Sequence, residues 1–290
     1  MNKKTRNIII GIVVAVVVVI AAWFGFGPGL GKKQANKVVT VGVVGEGKPE
    51  VAIWNQAIKT AKDKYGVTIK IKNFTDYNQP NNALKNGDID LNSFQHYAFL
   101  AAWNKANHGD LVAIGKTSIN PIRLYSKKYH KLSDIPEGAT IAVPNDASNE
   151  SRALYLLKNA KLISLRPKTK LAIVADIVKN PRHLKIKEVG GEQCARVITS
   201  VAAAVVNNTF ALPAGLGDKE TLFVEPTNQD SRQWINIICA RKSQAKNPAY
   251  QAVVKSYQTA ATKKLYKKYY GNRQIAAWDF TPKNNPKSSK

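Results

Sequence analysis

An α/β fold of two lobes, carried behind an N-terminal transmembrane helix, is the architecture that this sequence predicts. Residues 8–26 run uncharged and rich in Val and Ile, and from residue 38 onward short β-branched runs alternate with segments of helical spacing. That alternation restarts near Ala139, which implies a second α/β unit and therefore a cleft between two lobes.

The N-terminal run comes first. At about 1.5 Å per residue, a helix over it is about 28 Å long, close to the ~30 Å hydrocarbon core of a bilayer. Residues 1–7 contain Lys3, Lys4 and Arg6, which predicts a cytoplasmic N-terminus and places the remainder outside. Trp23 and Phe24 stand where a cleavage site would need small residues, so an uncleaved single-pass anchor is expected. No cysteine lies near the end of the run, which argues against lipid modification there. Residues 27–37, with Gly, Pro, Lys and Gln, read as a linker.

The folded part opens with VVTVGVV (38–44), a strand suited to burial on both faces. A helix follows over 50–65, ended by Gly66, and a strand over 67–71 completes a β-α-β unit. Helices over 81–86 and 96–106 and strands over 89–91 and 111–114 continue the order. The second unit begins with a strand over 139–143 and helices over 149–157 and 171–179. Strands over 184–189, 203–206, 222–224 and 235–239 come next, and one long helix spans 248–270. The expected division is residues 38–119 plus 228–280 for one lobe and 120–227 for the other, with hinges at 117–121 and 225–228 and a disordered tail over 281–290.

Composition narrows the function. The 290 residues are 44% hydrophobic, enough for a substantial core, and 44 Lys and Arg against 19 Asp and Glu leave a formal charge of +25. The basic residues are scattered, without a recognition helix or an aromatic RNA-binding signature, so an anionic envelope environment is expected and nucleic acid is not. Cys194 and Cys239 have no zinc spacing; they form either one bridge or two buried thiols. The four histidines are far apart, and neither a phosphate-binding loop nor a G-x-S-x-G elbow occurs, so no enzyme, metal or cofactor is expected.

Several segments together carry a resemblance: KVVTVGVVG, AKDKYGVTIKI, FTDYNQPNNALKNGDIDLNSFQH, PIRLYSKK, IAVPNDASNESRALYLL, VVNNTFA, FVEP and WINIICAR. In this order the chain resembles the NlpA-type methionine-binding lipoproteins, the substrate-binding components of methionine ABC importers. The resemblance implies a two-lobed, type II periplasmic-binding-protein-like fold with the ligand between the lobes. It places Tyr77, Phe94, His96 and Tyr125 around a side-chain pocket, where aromatic faces suit a thioether. It assigns Arg152 to the ligand carboxylate, and Asn149, Asn207 and Asn236 to the polar end. Read without the family, Tyr77, Phe94 and Tyr125 are equally core aromatics, His96 and Asn149 helix caps, and Arg152 a surface cation.

What the resemblance implies is a monomeric extracytoplasmic binder of methionine (L- or D-), a closely related amino acid or a short methionine peptide. It would serve an ABC permease with its ATPase, and anionic cell-wall polymers are a further partner that the charge admits. Asn120 and Arg123 depart from the family pattern and would make the pocket more polar if they faced it. The alternative reading is a basic envelope or adhesion protein that reuses the fold without transport.

Overall fold

The computed structural model describes residues 37–279 apart from 46, 168 and 228. The expected anchor (8–26), the tail (281–290) and the hinge residue Asn228 lie outside the described residues. Among the described residues no helix is long and apolar enough to cross a membrane.

The chain enters as β1 (Lys37–Val44), whose Val39, Val41 and Val43 are buried. Gly42 is required at its centre, because a Cβ there would lie 2.6 Å from Ile89 and 2.9 Å from the Phe74 ring. Helix α1 (Lys48–Tyr65) has a proline in its first turn and is closed by Gly66 at φ 63°, a left-handed conformation that glycine adopts without strain. Its buried residues Ile53, Trp54, Ala57 and Ala61 form the face against the sheet. There follow β2 (Val67–Phe74), α2 (Gln79–Asn86), β3 (Leu91–Ser93), α3 (Tyr97–Ala106), β4 (Leu111–Ile119) and β5 (Arg123–Tyr125). Next come β6 (Thr140–Pro144), α4 (Ala147–Asn159), the hairpin β7 (Ser164–Leu165) and β8 (Ile177–Lys179), β9 (Lys185–Val189) and α5 (Gly191–Arg196). The last described elements are β10 (Ala203–Val206), α6 (Asn208–Ala211), β11 (Thr221–Val224), β12 (Ile235–Arg241), α7 (Pro248–Tyr257), α8 (Ala260–Tyr270) and β13 (Ile275–Ala276).

Two main sheets result. One is six-stranded in the order β13-β4-β12-β3-β1-β2, the other five-stranded in the order β11-β5-β10-β6-β9. Strands β1 and β3 are parallel in the first sheet, and β6 is parallel to both β9 and β10 in the second. The chain crosses between the sheets after β4 and returns after β11. The two crossovers bond to each other, Glu225 N–H to Ile122 O at 3.0 Å and Ile122 N–H to Glu225 Oε2 at 3.2 Å. Each sheet has its own apolar core, Val41, Trp54, Val253 and Tyr257 on one side and Leu124, Ile141, Leu154 and Val205 on the other. Two further clusters are built around Tyr77 and Phe99 and around Tyr125 and Cys194, and Phe210 packs against both.

Three sequence expectations are corrected. The helix expected over 171–179 is a short turn leading into β8: Asp176 Oδ2 accepts from Ile173 N–H at 3.1 Å, and β-branched Ile177 and Val178 continue in the hairpin. The long helix over 248–270 breaks at Gln258 and Thr259. Gln258 Nε2 donates to Lys116 O at 2.9 Å, and Thr259 caps α8 by accepting from Thr262 N–H at 3.1 Å. The strand expected over 89–91 is displaced to Leu91–Ser93, where it pairs with β1 and β12. Cys194 and Cys239 are free, buried thiols, and burial pushes the Cys194 thiol up to about 12.

Candidate ligand site

The loops that follow strands of both sheets converge on one cavity, the place where open α/β sheets bind ligands. β2 leads to Tyr77, β3 to Phe94, Gln95 and His96, β6 to α4, and β10 to Asn207. In this form the cavity has a free volume of about 30 Å³ and is lined by Tyr77, Phe94, His96, Phe99, Asn149, Arg152, Asn207 and Asn236 among others.

Its apolar wall is a cluster of rings. Tyr77 and Phe94 have centroids 5.7 Å apart, and Phe99 meets both edge-on, at 6.0 Å from Tyr77 and 5.5 Å from Phe94. Burial, only partly offset by a hydrogen bond with Thr209, raises the Tyr77 hydroxyl well above its ordinary range, so it stays protonated. Gly191 at the start of α5 lets this ring approach, since a Cβ there would lie 3.3 Å from Tyr77 Cε2.

The polar end is organised by Asn149 in the first turn of α4. Asp146 caps that helix by accepting from Asn149 N–H at 3.0 Å, and it also accepts from Asn149 Nδ2 at 2.8 Å. These bonds orient the Asn149 amide so that Oδ1 receives Asn207 Nδ2 at 2.9 Å and meets His96 Nε2 at 3.2 Å. His96 caps α3 by accepting from Phe99 N–H at its Nδ1, which leaves the ring proton on Nε2 as donor to Asn149. The cap and the cavity wall are thus the same residue. Asn207 Oδ1 is buried and meets no donor among the described residues, a condition that costs free energy until a donor arrives.

Burial first, then the Arg152 charge, lowers the His96 pKa to about 3. The unfolded chain protonates this ring near the ordinary value of 6.5, so the folded state binds fewer protons between these limits. Its contribution to stability is complete above about pH 6.5 and is lost as the pH falls toward about 3. Urea midpoints at about pH 7 and about pH 4.5 should show a smaller acid loss for His96→Gln than for the unaltered chain.

Arg152, one turn further along α4, is 5% exposed. Its Nε donates to Glu225 Oε1 at 2.7 Å, and its Nη2 donates to Glu225 Oε2 at 2.5 Å and to Asn120 O at 2.9 Å. The guanidinium carbon lies 4.6 Å from the centre of the Trp234 ring, which in turn meets His96 edge-on at 5.0 Å. Among the described residues no acceptor meets Nη1. One edge of the guanidinium therefore ties α4 to both crossovers, and the other remains available beside the cavity. No carboxylate is among the residues that line it.

Of the residues expected at the site, all but Tyr125 line this cavity. Tyr125 is a correction: it is 3% exposed and packs with Ala142, Val189 and Cys194, because pairing of β5 with β10 turns it into the core of the second sheet. Asn120 lines the cavity, whereas Arg123 is drawn away by Asp218 at 2.9 Å and Thr221 at 3.4 Å. Phe99, Gln95, Ile122, Asn208 and Thr209 also line it and were not singled out from sequence; nor were Glu225 and Trp234, which hold Arg152.

Two sheets joined by crossovers, with a cavity at their strand ends that offers a cation, an unpartnered acceptor and an aromatic wall, define a substrate-binding protein of periplasmic type rather than an enzyme. The chain belongs to the NlpA lipoprotein family, whose model matches residues 39–278. The probable D-methionine-binding lipoprotein MetQ of Pasteurella multocida is 36% identical over 249 residues, 85% of this chain and 88% of the relative. The crystal structure of the substrate-binding protein of a methionine transporter from Streptococcus pneumoniae shares 46% identity at a TM-score of 0.79, covering 83% of this chain and 96% of that one. A nutrient-binding protein from Burkholderia cenocepacia, bound to methionine, shares 39% identity at a TM-score of 0.78 over 82% and 99% of the two chains.

Proposed function

We propose that the cavity takes up methionine, as either enantiomer, or a closely related amino acid or short methionine peptide, and that the chain presents it to an ABC permease with its ATPase. The observation that carries this reading is the pairing of unmet groups at the polar end. Arg152 offers Nη1 to a carboxylate, and Asn207 Oδ1 is a buried acceptor suited to an ammonium. A zwitterion supplies both. Tyr77, Phe94 and Phe99 then enclose the side chain, where sulfur against ring edges contributes about 0.3–1.5 kcal/mol per contact.

In this reading residues 38–119 plus 228–280 form one lobe and 120–227 the other, moving about the crossovers that Arg152 and Glu225 tie together. The two relatives described above as methionine-transporter and methionine-bound proteins support the ligand. The uncharged run 8–26 would hold the folded part outside the cell membrane, close to its permease, and so raise its effective concentration there. The net charge of +25 favours an anionic envelope and adds cell-wall polymers as contacts.

Calorimetric titration of the full chain in detergent, after unfolding and refolding to strip any carried ligand, tests the reading. Saturable heat is expected with methionine, and weaker heat with leucine, which lacks the sulfur. Absence of heat with methionine and with methionine dipeptides, alongside adsorption to anionic polymers, would favour the envelope or adhesion alternative.

A further inference from the structure

We propose that Arg273 and Gln274 form a latch that holds the two sheets together beside the cavity and sets how fast ligand leaves. The inference rests on the binding reading for its kinetic consequence, but its geometry is independent of any ligand.

After α8 the chain reverses at Gly271, at φ 57°, and then enters β13. That strand pairs with the end of β4, Ile275 with Ile119 and Ala276 with Ser118. Arg273 and Gln274 are thereby rooted on the edge of the first sheet, where the chain crosses to the second. Gln274 is 9% exposed; its Nε2 donates to Ser118 Oγ at 3.0 Å, and its Oε1 accepts from Asn208 Nδ2 at 2.5 Å. Asn208 belongs to α6, which follows β10 of the second sheet, and it lines the cavity. Ser118 Oγ passes the chain of bonds on to Asn120 Oδ1 at 3.2 Å, a second lining residue.

The neighbouring residue makes a second link. Arg273 Nη2 meets Asp218 Oδ2 at 2.7 Å, while Asp218 Oδ1 accepts from Arg123 of β5 at 2.9 Å. Asp218 is fixed between two arginines, Arg123 of β5 in the second sheet and Arg273 in the turn that leads into β13 of the first. Neither Arg273 nor Gln274 lines the cavity. Opening the cleft separates α6 and its following loop from the first sheet, and so must break both links. Contacts present only in the closed form bias the equilibrium toward it without touching ligand. The two links also differ physically: Gln274 is buried, whereas the Arg273–Asp218 pair is exposed on the Asp218 side, at 70%, and is screened by salt.

Two readouts test the latch on the full chain. Spin labels at Lys70→Cys on β2 and Lys187→Cys on β9, exposed positions on the outer strands of the two sheets, report the separation without ligand. Arg273→Ala and Gln274→Ala should each shift that distance distribution to longer values. Displacement of labelled methionine by excess unlabelled methionine should be faster by about two- to fivefold for Arg273→Ala, as loss of an exposed ion pair permits. Gln274→Ala should give about three- to tenfold, as loss of a buried hydrogen-bond partner permits. Arg273→Lys should restore most of the slow release. Raising the salt should accelerate release from the unaltered chain and leave Arg273→Ala nearly unchanged. Unchanged distances in both alanine variants would overturn the latch even if methionine binds normally. Failure of the unaltered chain to bind methionine would instead overturn the binding reading, with the distances still deciding the latch.

Discussion

Arg152→Ala is expected to abolish methionine binding and to lower the stability of the fold by about 3–5 kcal/mol, because it strands the Glu225 carboxylate in a buried site without its partner. That variant combines two losses, of binding and of stability, and a second substitution separates them. In Arg152→Ala with Glu225→Gln the stranded charge is gone, so most of the stability should return, while the cation that faces the cavity is still missing. Denaturant midpoints should therefore recover in the double variant, and calorimetric heat with methionine should not. Arg152→Lys is the third member of the series. A point charge cannot reproduce the planar pair of bonds to Glu225 and also reach Asn120 O and the ligand, so folding should be partly retained and affinity much reduced. Normal affinity in the double variant would show that the guanidinium serves the crossovers alone.

Asn149→Ala is expected to have the next largest effect. Its Oδ1 is the shared acceptor for Asn207 Nδ2 and the proton on His96 Nε2, so truncation leaves two buried donors unmet. At about 1–3 kcal/mol for each such group, the expected loss is about 2–6 kcal/mol of stability. Affinity should fall as well, by about ten- to a hundredfold, because Asn207 loses the bond that aims its other amide atom into the cavity. The pairing predicts non-additivity: Asn149→Ala combined with Asn207→Ala should cost less than the sum of the single variants. Additive losses in the denaturation and titration series would mean that the two amides act separately.

How much of this was legible in the sequence depends on the range of the interaction. The strands VVTVGVV and AAVV declare themselves as β-branched or small apolar runs, and α1 by its spacing and its closing Gly66. Residues 171–179 misled because Leu171, Val174 and Val178 fall at helical spacing, although their β-branched neighbours and the Asp176 turn direct them into a hairpin. The break between α7 and α8 depends on Lys116, 142 residues away from Gln258, which no local pattern reveals. At the site, the resemblance located residues within motifs but could not rank their neighbours. Thr209 and Asn208 lie inside VVNNTFA and Trp234 opens WINIICAR, yet composition alone does not distinguish them from ordinary helix and strand residues. Glu225 is 73 residues from Arg152, and only the crossing of the chain between sheets brings them together. The resemblance set Tyr125 among the pocket aromatics, but core and pocket share a composition, and strand pairing places this ring in the core.

A crystal structure of the chain grown with methionine puts the binding geometry to the most direct trial. The ligand carboxylate should lie about 2.7–3.1 Å from Arg152 Nη1, its ammonium should donate to Asn207 Oδ1, and its sulfur should rest among Tyr77, Phe94 and Phe99. Methionine bound elsewhere, or held in the cavity with its carboxylate away from Arg152 and Asn207 Oδ1 still without a donor, would contradict it.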